Sequence, residues 1–128
     1  EHAGGADFLT LLRTTVTAPL GVTSPQGDDW QKVIEGRTAF YSQNRDQKIV
    51  NADFVDNSYK WPSGGLVASA PDVAKFADAH LRPGFLKAGT LDAMMRSQKL
   101  ASGAETGVGI GWRSGKDAKG RLTGHFFE

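Results

Sequence analysis

The sequence predicts an α+β fold, and three observations carry that prediction. Apolar residues recur at helical spacing in three stretches. Short runs bracket polar turns in two further places. Hydrophobic residues make up 39% of the 128 positions, enough for a core and too many for a disordered chain. The expected order is helix, hairpin, helix, helix, strand, strand.

The first helix is expected over Asp7–Val16. Phe8, Leu11, Leu12 and Thr15 follow the i, i+3, i+4, i+7 spacing, Asp7 sits near the positive end, and Pro19 closes the element. The segment APLGVTSPQGDDW reads as a loop punctuated by proline and glycine. Residues 38–50, TAFYSQNRDQKIV, predict a hairpin turning at Asn44–Gln47, and 51–65 an ordered loop without a period. Ser69 is a natural N-cap, with Pro71 in the first turn and Asp72 three residues on. Val73, Phe76, Ala77 and Leu81 then continue an apolar face until Pro83-Gly84 ends the element. Thr90 is expected to cap a further helix that turns Leu91, Met94 and Met95 to one side. Residues 107–115 and 121–127 predict two strands joined by the polar turn KDAKG.

Composition excludes several classes of function. Fifteen basic residues face fourteen acidic ones, net charge +1, with no like-charge block to mark nucleic acid or an anionic membrane as partner. No apolar run approaches the roughly 20 residues that span a bilayer. Without cysteine there is neither a disulfide nor a thiolate metal site, and the redox compartment stays open. EHAGGADF has neither a basic nor an apolar leader region, so no signal peptide is expected there. Histidines 2, 80 and 125 lack ligand spacing, so no metal site and no cofactor are expected.

Catalytic patterns fail one by one. WPSGG carries Trp61 where the G-x-S-x-G elbow needs its first glycine. GVGIG has the wrong spacing for a dinucleotide loop, and no helix follows it; its glycines read instead as close backbone approach to a neighbour. No Ser-x-x-Lys occurs, so no serine has a lysine one helical turn away to take its proton. Ser63 as a nucleophile is rejected for the same want of a base. The stretch SYKWPSGGLVASAPDVAKFADAHL carries the most informative residues. Gly64 and Gly65 allow close backbone approach, and Tyr59 and Trp61 offer flat surface with a polar edge. Two readings stand side by side: a binding wall, or a turn before the Ser69 cap with the aromatics in the core.

From FYSQN through VDNSYKWPSGGLVASAPDVAKF the sequence resembles the serine β-lactamase-like hydrolases. That family includes class C β-lactamases, D-alanyl-D-alanine carboxypeptidases and β-lactamase-fold esterases. The likeness is greatest to the branch of mitochondrial serine β-lactamase-like proteins and their bacterial relatives. APLGVT (18–23), RTAFYSQNRDQKIVNADFVDNSYKW (37–61), SGGLVASAPDVAKFADAHL (63–81), PGFLKAGTLDAMM (83–95), TGVGIGW (106–112) and GH (124–125) carry it in the family's order. YSQN at 41–44 is a decoy for the family's Tyr-x-Asn, with one residue too many.

The resemblance implies a β-lactamase/transpeptidase-like architecture in which 1–128 is a partial domain. It would hold helical-subdomain segments, a hairpin and the first C-terminal sheet strands. The N-terminal part with Ser-x-x-Lys and Tyr-x-Asn would be lacking. It further implies acyl-enzyme chemistry on an amide or ester (β-lactam, peptide or ester) for the parent protein, with this chain inactive when isolated. The segment Lys60–Gly65 would line the active-site rim, so that Tyr59, Trp61, Ser63, Gly64 and Gly65 become substrate-binding candidates. His125 would stand at the third-motif position as a catalytic candidate, although Phe126-Phe127 follow where the family has Thr/Ser-Gly. A small-molecule or peptide substrate is then the expected partner, together with the N-terminal part of the same protein or a second copy. A bacterial member would be periplasmic or secreted. The rival reading is a non-catalytic binding or assembly module, and a third is an unrelated helical-hairpin binding domain.

Overall fold

The computed structural model describes residues 1–119 and 122–126, with the backbone alone for Lys116 and Leu122–Phe126. The chain divides into two compact units, Glu1–Asp72 and Val73–Glu128.

In the first unit, helix α1 (Phe8–Leu12) starts as expected: Asp7 is extended and its carboxylate accepts the Thr10 N–H at 3.0 Å. Hydrogen bonds from Thr10 hold the Asp7 carboxyl below its ordinary value. The next turn is not α-helical. Over Arg13–Thr17 the turn widens, and the Ala18 N–H reaches back five residues to the Arg13 carbonyl. The Thr14 and Thr15 hydroxyls donate to the Thr10 and Leu11 carbonyls at 2.9 and 2.6 Å. Such side-chain bonds compete with the backbone ladder and bend helices. The helical path therefore runs to Thr17, one residue past the expected end.

The hairpin forms where the sequence placed it, from β2 (Tyr41–Gln43) and β3 (Ile49–Asn51), with Tyr41 opposite Asn51. Asn44 builds the turn: its side-chain oxygen accepts the Asp46 and Lys48 N–H groups, and Gln47 takes the left-handed conformation at φ 62°. An unforeseen pair of two-residue strands, β1 (Gln26–Gly27) and β4 (Leu66–Val67), closes the unit antiparallel across forty residues of chain. Runs this short carry no period to read.

Helix α2 (Ala70–Asp78) begins right after Ser69, and a longer-range clasp ties its start to residues 23 and 24. The Ser24 hydroxyl accepts the Ser69 N–H and donates to Ser69 Oγ, at 2.9 and 3.0 Å. Asp72 is buried, and its Oδ2 accepts the Thr23 and Ser24 N–H groups at 3.0 and 2.8 Å. The expected apolar face also needs correction, because Val73 and Leu81 are exposed. The inward side is set by His80, a polar residue that a count of apolar positions passes over. It is 6% exposed, with Nδ1 2.7 Å from the Phe76 carbonyl and its ring against Phe76, Phe85 and Trp112.

In the second unit, α3 (Ala88–Met95) starts two residues before Thr90, whose N–H donates to the Lys87 carbonyl inside the first turn. Leu91 is buried from this helix. The strand expected from 107 starts only at Trp112: β5 (Trp112–Lys116) pairs with β6 (Leu122–Phe126). Residues 107–111 are a loop because Gly107 and Gly111 sit at φ 71° and 73°. The expected close approach is found at Gly109, where an added Cβ would lie 2.0 Å from the Met94 carbonyl oxygen. The Ile110 N–H donates to that same oxygen at 2.8 Å. Residues 120, 121, 127 and 128, the end of the KDAKG turn and the chain terminus, lie outside the described residues. Among the described residues the buried apolar side chains are Val22, Leu91 and Trp112.

Candidate functional site

Residues 57–65, which include the expected rim segment Lys60–Gly65, form a tight loop folded around one carbonyl. The Lys60 oxygen accepts the N–H groups of Ser63, Gly64 and Gly65 at 2.9, 3.0 and 3.2 Å, while the Lys60 N–H donates to the Asn57 carbonyl. Upstream, Asp56 Oδ1 accepts the Ser58 N–H at 2.8 Å, and hydrogen bonds from Ser58 keep the Asp56 carboxyl below its ordinary value.

The two adjacent glycines have different reasons to be there. A Cβ on Gly65 would fall 2.5 Å from the Asn57 carbonyl oxygen, so only glycine lets the loop close. Gly64 faces open space. The two aromatics also divide. Tyr59 stands 80% exposed, whereas Trp61 turns inward and lies over Gly27 of β1, where even one methyl would collide with the indole. The indole N–H donates to the Asp28 carbonyl at 2.9 Å. Asp28 returns the tie, its N–H donating to the Gly65 carbonyl at 2.7 Å.

Beneath this loop lies a polar knot that the sequence does not foretell. Asp28 is 2% exposed, and its Oδ2 accepts from Arg37 Nη2 at 2.9 Å and Asn57 Nδ2 at 3.0 Å. The pair meets through one nitrogen and one oxygen, leaving Asp28 Oδ1 and Arg37 Nε buried without a partner. A buried carboxylate is tolerated only when paired and hydrogen-bonded. The knot therefore fixes the relative positions of 28, 37 and 57, and through Trp61 and Gly65 the base of this loop. Its members lie 9 and 29 residues apart. The one local hint is the Asp28-Asp29 doublet after Gly27.

The candidates thus separate into an anchored base (Trp61, Gly65) and an exposed lip (Tyr59, Ser63, Gly64). The lip offers an aromatic face, a hydroxyl and a stretch of bare backbone. His125 lies in the other compact unit, on β6 opposite Arg113; its side chain falls outside the described residues. No helix among the described residues is long and apolar enough to cross a membrane.

The sequence profile described as Beta-lactamase matches residues 1–126. The chain is 30% identical over 109 residues to the human protein described as "Serine beta-lactamase-like protein LACTB, mitochondrial", covering 73% of this chain and 20% of that protein. The mouse counterpart gives the same figures. The cattle counterpart is 30% identical over 106 residues, covering 71% of this chain and 19% of its own length. The chain spans about a fifth of the length of these relatives.

Proposed function

The chain belongs to the beta-lactamase family, and from that premise we propose that it forms part of a serine hydrolase working through an acyl-enzyme on an amide or ester. The family match across 1–126 carries this reading. The rim geometry supports it: a lip with an aromatic, a hydroxyl and exposed backbone, held rigidly from below, is what a substrate wall requires. Tyr59 would pack against the substrate, while Ser63 and the backbone around Gly64 would meet its polar atoms. Trp61 and Gly65 would act indirectly, holding that lip in place.

In such chemistry a serine attacks the carbonyl, the acyl group passes to its oxygen, and water releases it. Donors aimed at the developing oxyanion supply much of the acceleration. His125, placed on strand β6, would hold a substrate carboxylate or share in proton transfer, for which an imidazole suits neutral pH. The nucleophile and its lysine would come from polypeptide other than these 128 residues. β-Lactams, peptides and esters are the substrate classes.

A second reading, a binding or assembly module derived from the same fold, draws on one observation: the 128 residues contain no Ser-x-x-Lys. One experiment separates the two. These residues replace the matching stretch of the human relative, and the graft is assayed with nitrocefin, a D-alanyl-D-alanine peptide and p-nitrophenyl esters. Turnover is expected for at least one substrate, and His125→Ala should lower kcat/KM by ~10²-fold with thermal stability retained. A folded graft that turns over none of them favours the module.

A further inference from the structure

Both sides of the β2–β3 hairpin are uncovered. All six strand residues are exposed, and the register puts Tyr41 and Ile49 on one face and Val50 on the other, beside Phe40. Phe40, Tyr41, Ile49, Phe54 and Val55 are 58%, 63%, 71%, 73% and 54% exposed, a density of large apolar groups that a free surface does not carry by chance. A two-stranded hairpin is marginal in water and needs a further strand or packed layer. Between Arg37, Phe40, Phe54 and Asn57 runs a groove of ≈ 580 Å³, room for inserted side chains.

The whole chain shows the same deficit. It exposes 9821 Å². Two independent folded bodies with the residue spans of these units would expose only about 7,900 Å² for the same 13.7 kDa. The surplus, about 1,900 Å², exceeds the roughly 800 Å² that one partner contributes to a standard stable interface. The six strand residues carry no charge, so the surface that covers them is apolar rather than oppositely charged, while Arg37 and Asp53 flank the groove.

We propose that the hairpin, with Tyr41 and Ile49 on one side and Phe40 on the other, forms together with the adjoining Phe54 and Val55 a seam at which this chain docks on a further stretch of β-lactamase-family polypeptide. The partner's identity rests on the family reading of the previous subsection and on the chain spanning about a fifth of its relatives. The need for cover rests on the hairpin itself. The groove beside Phe40 and Phe54 receives the partner's apolar side chains.

The test compares two proteins: the 128-residue chain alone, and the same residues grafted into the human relative. Amides 40–55 are followed by hydrogen exchange, and each protein is melted with and without Ile49→Asp or Phe54→Asp. Protection at 40–55 should rise at least tenfold in the graft. The charged substitutions should leave the melting of the free chain nearly unchanged and lower that of the graft by several degrees. Equal protection in the two proteins overturns the seam, as does an equal effect of the substitutions. So does a graft that fails to fold while the free chain folds. A free chain that sediments as a dimer protected at 40–55 assigns the face to a second copy and overturns the partner named here. Protection without hydrolysis keeps the seam and counts against the hydrolase reading alone.

Discussion

Asp28 ties the first unit together through four partners. Its carboxylate takes Arg37 and Asn57, its carbonyl takes the Trp61 indole, and its N–H reaches the Gly65 carbonyl. Asp28→Ala should therefore cost about 3 kcal/mol, the low end for breaking a buried ion pair, because the Arg37 side chain keeps 26% exposure. The neighbouring Asp29 pairs with Lys32, itself 75% exposed, and Asp29→Ala should cost no more than about 1 kcal/mol. Urea unfolding read by tryptophan fluorescence checks both, and equal losses would remove Asp28 from its central place. The sequence points to Trp61 and Gly65 from local composition, but it holds nothing that pairs residue 28 with residues 37 and 57. That pairing arises from the tertiary path of the chain, and a polar residue in a loop gives no periodic signal of burial.

The elements legible in the sequence are those whose signal is local. The hairpin is readable because Asn44 and its neighbours satisfy their own turn, and α2 because Ser69 and Pro71 mark its start. β1 and β4 are not, since two-residue strands exist only as a pair. The run at 107–111 was misread as strand because apolar residues alternate with glycines that turn left-handed. Two glycines show how context sets the sign of a single substitution. Gly109→Ala would drive a methyl into the Met94 carbonyl and break the Ile110 hydrogen bond to it, so a loss of about 3 kcal/mol is expected. Gly89→Ala meets nothing within 4 Å inside α3 and should gain about 0.5–1 kcal/mol. Thermal melts of the two variants settle it, and shifts of the same sign would contradict the packing described for Gly109.

For the molecule as a whole, the sequence conveys the α+β class and the family and overstates the core. A hydrophobic share of 39% suggests a well-filled interior, yet many large apolar side chains stay in water. Composition counts apolar residues without saying what lies against them. The 57–65 loop likewise has no nucleophile of the family's kind beside it, because no serine in these residues has a lysine one helical turn away. The 128-residue chain alone should therefore give no turnover of nitrocefin or p-nitrophenyl esters above a heat-treated control, since binding remnants supply only residual acceleration. Labelling by a serine-directed phosphonate together with turnover would refute this. The bare hairpin has a further consequence for the lifetime of the polypeptide in a cell. Exposed apolar faces and open strand edges are what chaperones and proteases engage. On the seam proposed above, a copy that meets no cover would stay open to that machinery until it is degraded. Its steady level would then depend on how fast cover is found as well as on synthesis.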